Sequence, residues 1–360
     1  MAALASLAAL AMQACRPRGE IVIGFVASMS GMDYMLGVEG RNAAMLFVDR
    51  LNGEGGIGGR TLRLEVRDLA SDDSRAPEVA AGLAAAGVEA VVGFYSSSSA
   101  LAAIPVLEEA GVPIISPTST SDALSGKADC FYRTIMSTAR DPEALAASMR
   151  QAGHRRVLFI AAAYNVPYYQ TYLQGLAPLV DIAGTFFYQK LDEVDYGAIA
   201  ELGAGDGYDS VMIVAGSLDT GTIAQELALR GLLAPLYLSG WAGNDDVITY
   251  GGAAVEGATM VHQVDPALVR DLPLSAAYRA AFGEEPGYGA IETWDSMLFL
   301  VEALRASGPV PGRLAAAIGA VRSFTGTAGT IGIDEYGDAS RPLYMKRIID
   351  GAFVVTGAVD

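Results

Sequence analysis

The sequence predicts an α/β fold of two lobes, each a mostly parallel sheet flanked by helices, and three observations carry that prediction. Apolar runs of strand length alternate with helical patterns over most of the 360 residues. The alternation restarts near Val157, which implies two similar halves. Apolar residues make up 52% of the chain, enough for large cores and too many for a disordered segment.

Residues 1–14, MAALASLAALAMQA, form an apolar run too short to span a bilayer and suited to a secretory leader. Ala14-Cys15 resembles a bacterial lipoprotein cleavage site, so Cys15 is the expected lipid anchor, with an ordinary signal peptide as the other reading. Cys130 then has no disulfide partner and is expected to be buried. The net charge of −17 argues against a nucleic-acid partner. His154 and His262 are the only histidines and stand apart, so neither a metal site nor a cofactor is expected.

Ile21 to Ala27 reads as the first buried strand, leaving through Ser28-Met29-Ser30-Gly31. Gly37 to Leu51 follows as a helix whose Gly37, Gly40, Ala43 and Ala44 permit close packing on a sheet. Asn52 to Gly59 is a turn cluster, Thr61 to Asp68 alternates as a strand, and Pro77 to Ala86 is helical in pattern. Val91-Val92-Gly93 and Val112 to Ile115 are short buried strands on either side of a helix, Leu101 to Ala110. Each ends in hydroxyls: Ser96 to Ser99 after the first, Ser116 to Ser121 after the second. Both strands would bring hydroxyls and free backbone N–H groups to the carboxyl edge of one sheet, where open α/β folds bind small ligands.

A short strand at Phe131 to Ile135 and a helix at Asp141 to Gln151 complete the first half. Strands at Val157 to Ala161, Ile182 to Gln189, Ser210 to Val214 and Leu236 to Ser239 then alternate with helices at Tyr168 to Leu179, Tyr196 to Leu202 and Gly221 to Arg230. Helices follow at Ser275 to Phe282, Ala290 to Ala306 and Gly312 to Ala320, and the chain ends in strands at Gly329 to Asp334 and Leu343 to Val355. Ligands favour the interface between two such lobes.

The string NGEGGIGGR at Asn52 to Arg60, followed by a strand and Asp68, resembles the branched-chain amino-acid-binding proteins of bacterial ABC importers, of the Leu/Ile/Val type. The likeness continues through Ser30-Gly31 with Gly37 and Gly40, Val92-Gly93 before the serines, Ile115-Ser116-Pro117, and Arg133-Thr134 with Asp141. It closes on GTIGIDEYGD at Gly329 to Asp338 and covers about residues 20 to 355. The resemblance implies a type I periplasmic-binding-protein fold with three hinge crossings. It assigns 20–138 with 266–325 to the N-terminal lobe and 139–265 with 326–360 to the C-terminal lobe, which leaves 1–19 as the leader and linker. It also implies an extracytoplasmic protein that closes on a small ligand without chemistry and passes it to a membrane permease.

In the family, a serine at the place of Ser97 and residues matching Thr118 and Thr120 bind the ligand's α-carboxylate. Hydroxyls and N–H groups at a helix N-terminus suit an anion without Lys or Arg; the other reading of Ser97, as of Ser98 and Ser99, is capping of the next helix. Tyr95, directly before the serines, is placed in the same pocket. Tyr168 falls near a tyrosine that lines the cleft in relatives, and its other reading is packing. Tyr34 lies in the first loop, where relatives often carry a pocket aromatic, although strict alignment puts Leu36 there.

Relatives that bind α-amino acids usually meet the ammonium with a carboxylate after the strand ending at Ser239. The matching residue here is Trp241 or Ala242. Either Asp219 or Asp245 supplies the charge, or the faces of Trp241 and Tyr168 take a cation, or the ligand has no ammonium. Asp219 and Asp245 otherwise read as helix caps, and Trp241 as core. The positions resembling a family disulfide are Ser71 and Ser96.

The expected function is the ligand-binding component of an ABC importer for an amino acid or a small amide-like or carboxylate ligand, with a ligand-sensing receptor of the same fold as the alternative. An enzyme is not expected: no GxSxG elbow or GxxxxGK[ST] loop is present. Asp72-Asp73 and Asp245-Asp246 read as solvated caps.

Overall fold

A computed structural model describes residues 19–31, 34–204, 207–270, 272–308 and 313–359. The leader and Cys15 lie outside the described residues.

The strands are β1 (Ile21–Ala27), β2 (Leu62–Asp68), β3 (Ala90–Gly93), β4 (Ile114–Ser116), β5 (Phe131–Arg133), β6 (Arg156–Ala162), β7 (Asp181–Tyr188), β8 (Ser210–Val214), β9 (Leu236–Leu238), β10 (Thr259–His262), β11 (Ser323–Gly326), β12 (Gly329–Ile333), β13 (Ala339–Ser340), β14 (Leu343–Ile349) and β15 (Ala352–Val359). The helices are α1 (Met35–Gly53), α2 (Ala76–Ala85), α3 (Ser97–Glu109), α4 (Asp141–Gln151), α5 (Val166–Leu176), α6 (Tyr196–Ala204), α7 (Ser217–Leu229), α8 (Asp246–Gly251), α9 (Pro266–Val269), α10 (Pro273–Phe282), α11 (Tyr288–Ser307) and α12 (Leu314–Ile318).

The first sheet is parallel throughout, in the order β2-β1-β3-β4-β5. The second runs β15-β14-β10-β9-β8-β6-β7, parallel except for β14 and β15, which pair antiparallel at one edge. Both sheets are covered on both faces, which is why their central strands read as unbroken apolar runs. In β1, Ile23, Phe25 and Ala27 enter one core while Val26 enters the opposite one. In β6, Leu158, Ile160 and Ala162 face one way, and Val157, Phe159 and Ala161 the other. The two-lobed α/β expectation is met.

The chain passes between lobes three times, after β5, after β10 and before β14. Gln263 ties the first two passages together: its Oε1 accepts from Met136 N at 2.6 Å and its Nε2 donates to Met136 O at 3.0 Å. One boundary differs from the expectation that residues 326–360 join the second lobe. β11, β12 and β13 form a small antiparallel sheet whose Phe324, Ile331, Ile333 and Ala339 are buried in the core of the first lobe, so the last passage lies between β13 and β14. The expected single strand from Leu343 to Val355 is a hairpin that turns at Asp350 and Gly351, both at positive φ. Among the described residues, no helix is long and apolar enough to cross a membrane.

Candidate ligand-binding site

The carboxyl ends of both sheets converge on one cavity of about 90 Å³. One water needs roughly 10–15 Å³ on this measure, so the space suits a molecule of about amino-acid size.

The first lobe supplies hydroxyls. Beyond β3 the backbone is forced into the left-handed region: Gly93 has φ 150° and Phe94 φ 55°. A side chain at Gly93 would meet Val26 O at 2.2 Å. The bend delivers Tyr95, Ser96 and Ser97 to the cavity. Helix α3 begins four residues before the expected start, because Ser96 caps it by accepting from Ser99 N at 3.0 Å. Ser97 therefore does not act as the cap. Its Oγ accepts from Ser121 N at 3.1 Å, joining the two hydroxyl loops, and its own N–H sits in the helix's first turn, where no intrahelical acceptor exists. Thr118 Oγ1 donates to Tyr95 O at 2.8 Å. Thr120, 3% exposed, lines the cavity, and its Oγ1 is buried with no partner in the protein. Tyr95 packs against α1 at Gly40, where a Cβ would strike its hydroxyl, and its OH is paired with Thr293 Oγ1.

The second lobe supplies aromatic side chains. Trp241 stands between Tyr164 and Tyr168, edge-on to both, with centroids 5.7 and 5.5 Å away. The Tyr168 hydroxyl accepts from Trp241 N at 3.1 Å, and Tyr172 accepts from Gly240 N at 3.2 Å while donating to Asp141 Oδ2 at 2.8 Å. Tyr168 thus spends its hydroxyl on fixing Trp241 while lining the cavity. Burial pushes its phenol up to about 12 and the Asp141 carboxyl up to about 7.

Of the expected site residues, Tyr95, Ser97, Thr118, Thr120, Tyr168 and Trp241 come together on this cavity. Two do not. Tyr34 is 41% exposed at the start of α1, and Leu36 takes the lining position. Asp219 sits in the first turn of α7 behind the aromatic wall, held by the Tyr188 hydroxyl at 2.8 Å and by Tyr164. Neither Asp219 nor Asp245 makes a side-chain capping bond. Asp73, expected as a solvated cap, instead lines the cavity and accepts from Ser96 Oγ at 2.5 Å. Burial raises its carboxyl above the usual range, and the Ser96 bond offsets part of that.

The lobes touch around this cavity. Ser98 Oγ reaches the Tyr164 carbonyl at 3.5 Å, Ser121 Oγ donates to Pro167 O at 2.7 Å, and Asn244 Nδ2 donates to Glu39 Oε1 at 2.7 Å. The site is a closed cleft.

The same organisation is found in known proteins. The Leu/Ile/Val-binding protein homolog 1 of Brucella melitensis is 25% identical over 336 residues, 91% of this chain and 89% of that protein. Among solved structures, the branched-chain amino acid transporter substrate binding protein LivJ from Streptococcus pneumoniae, in complex with isoleucine, superposes with a TM-score of 0.83 at 21% identity, covering 94% of this chain and 98% of that one. A solute binding protein of an ABC transporter from R. palustris, in complex with benzoate, gives 0.82 at 20% identity, covering 94% and 96%. The sequence model of the family described as periplasmic binding protein matches residues 20–352, and the chain belongs to that family.

Proposed function

We propose that this protein is the extracytoplasmic solute-binding component of an ABC importer, anchored through Cys15, and that it carries a small amino acid or amide-like carboxylate to a membrane permease. The unpartnered Thr120 hydroxyl carries this reading. A buried hydroxyl without a partner costs about 1–3 kcal/mol, and a ligand oxygen placed beside Ser97, Thr118 and Thr120 removes that cost. The first turn of α3 adds N–H groups and the positive end of a helix dipole, which together hold an anion without a basic side chain. Ring faces opposite are suited to an apolar or cationic remainder. The relatives point the same way, since those compared bind Leu/Ile/Val, isoleucine or benzoate by their names.

Melting of the mature chain against a panel of amino acids, amides and small carboxylates tests the reading. At least one compound is expected to raise the midpoint, with a stabilisation that grows as the logarithm of one plus its concentration over Kd. No shift across the panel would contradict it.

A further inference from the structure

Asp73 is the only formally charged side chain among the described residues lining the cleft cavity. It opens the 3₁₀ turn Asp73–Arg75 after β2, where the exposed Asp72 takes the cap by accepting from Ser74 N. The loop reaches the cavity through two left-handed residues that are not glycine, Ala70 at φ 54° and Ser71 at φ 57°. Backbone of this kind persists where the surrounding structure demands it and is concentrated at ligand clamps. The carboxylate meets one hydroxyl, Ser96 Oγ, and its other close electrostatic neighbour is a second acid, Asp72. No ion pair engages it among the described residues, whereas the buried carboxylates Glu292 and Asp295 both face Arg341.

A cavity with this lining is negative when empty. A carboxylate held at Ser97, Thr118 and Thr120 brings a second negative charge into the same closed space, next in sequence to the serine that Asp73 contacts. The two coexist when the ligand also carries a positive group, and the aromatic residues Tyr164, Tyr168 and Trp241 lining the cavity suit a cation better than a second anion. We propose that Asp73 is the counter-charge for a cationic nitrogen of the ligand, so that this cleft selects zwitterions or cations over simple carboxylates. The proposal rests on the reading of the cleft as a solute site. It moves the ammonium-pairing role from the second lobe, where Trp241 and Ala242 occupy the expected position, to the loop after β2.

Calorimetric titration of the full mature chain with matched pairs tests it. Each common α-amino acid is compared with the carboxylate lacking its amino group, with benzoate and 4-hydroxybenzoate beside them. The expected result is that every bound α-amino acid exceeds its amine-free partner by at least about tenfold in affinity. Asp73→Asn should lower the amino-acid affinity about tenfold and shrink that preference, while Glu78→Gln, the same change in net charge on an exposed residue of α2 away from the cavity, leaves both in place. Equal affinity within the wild-type pairs, or an undiminished preference in Asp73→Asn, overturns the subsite while cleft binding stands. If Asp73→Asn does not fold, equal affinity within the wild-type pairs still overturns the subsite. Silence from every probe overturns both readings.

Discussion

Glu39 of α1 and Asn244 of the second lobe join the two halves of the molecule directly, the amide Nδ2 donating to Oε1 at 2.7 Å, while the other Glu39 oxygen accepts from Gly289 N at 3.0 Å. Burial, with Asp246 and Glu284 nearby, raises the Glu39 carboxyl to about 7, and the two hydrogen bonds offset only part of that. A raised acid favours the protonated closed form. Its contribution is complete below the ordinary value of 4.5 and is lost as pH rises through about 7. The full effect is on the order of 3 kcal/mol. Glu39→Gln is expected to flatten the melting-temperature profile between these limits. Because the amide also gives up one acceptor, the slope rather than the absolute midpoint is the diagnostic; an unchanged slope would count against this link.

Thr120→Val preserves shape and removes a buried hydroxyl at the cavity that has no protein partner. The empty protein should melt at the same temperature or slightly higher. Affinity for the ligand should fall about tenfold to a hundredfold, as loss of one charge-assisted hydrogen bond implies. A loss of stability without a loss of affinity would show that Thr120 is structural.

The two tryptophans have different surroundings. Trp294 is 7% exposed and packs on Phe47 at 4.8 Å in the first core, whereas Trp241 lines the cavity. Ligand-dependent fluorescence is therefore expected to come from Trp241. Trp241→Phe should abolish the change and weaken binding, while Trp294→Phe should leave a ligand-dependent signal. Persistence of the signal in Trp241→Phe would place the ligand elsewhere.

Arg341 holds Glu292 at 2.9 Å and Asp295 at 3.3 Å, all three essentially excluded from water. Two carboxylates share one guanidinium, and burial holds Glu292 up near 8. Arg341→Met strands both acids and should cost about 3–5 kcal/mol. Glu292→Gln keeps a polar partner for Arg341 and removes the surplus charge, so it should cost far less. Denaturant unfolding of the two variants compares them directly; equal losses would refute the shared-cation account.

The fold was legible because both sheets are buried on both faces, so that strands such as Ile21 to Ala27 and Ser210 to Val214 announce themselves as continuous apolar runs. The hydroxyl stretches Ser96 to Ser99 and Ser116 to Ser121 were legible for a related reason, since they directly follow such strands and so fall on the carboxyl edge; Ser97, Thr118 and Thr120 were picked out within them by the family resemblance. Asp73 was not, because its direction depends on left-handed backbone at Ala70 and Ser71, residues that do not signal that conformation. Asp219 misled because a first-turn acid looks alike whether it faces a cavity or, as here, two tyrosine hydroxyls behind it. The β14–β15 hairpin did carry its signal, Asp350-Gly351, inside what otherwise reads as one strand. The lobe assignment of β12 and β13 is a matter of tertiary packing that local pattern does not encode.

The cleft reading is tested most directly by mass spectrometry of the solute released on denaturing the protein, purified without dialysis. The account predicts one small molecule per chain, carrying a cationic nitrogen, retained by the wild type and absent from the Thr118→Val/Thr120→Val double variant. A solute retained equally by both proteins would contradict the cleft reading; a solute bearing only negative charge would overturn the Asp73 subsite and leave the cleft reading in place.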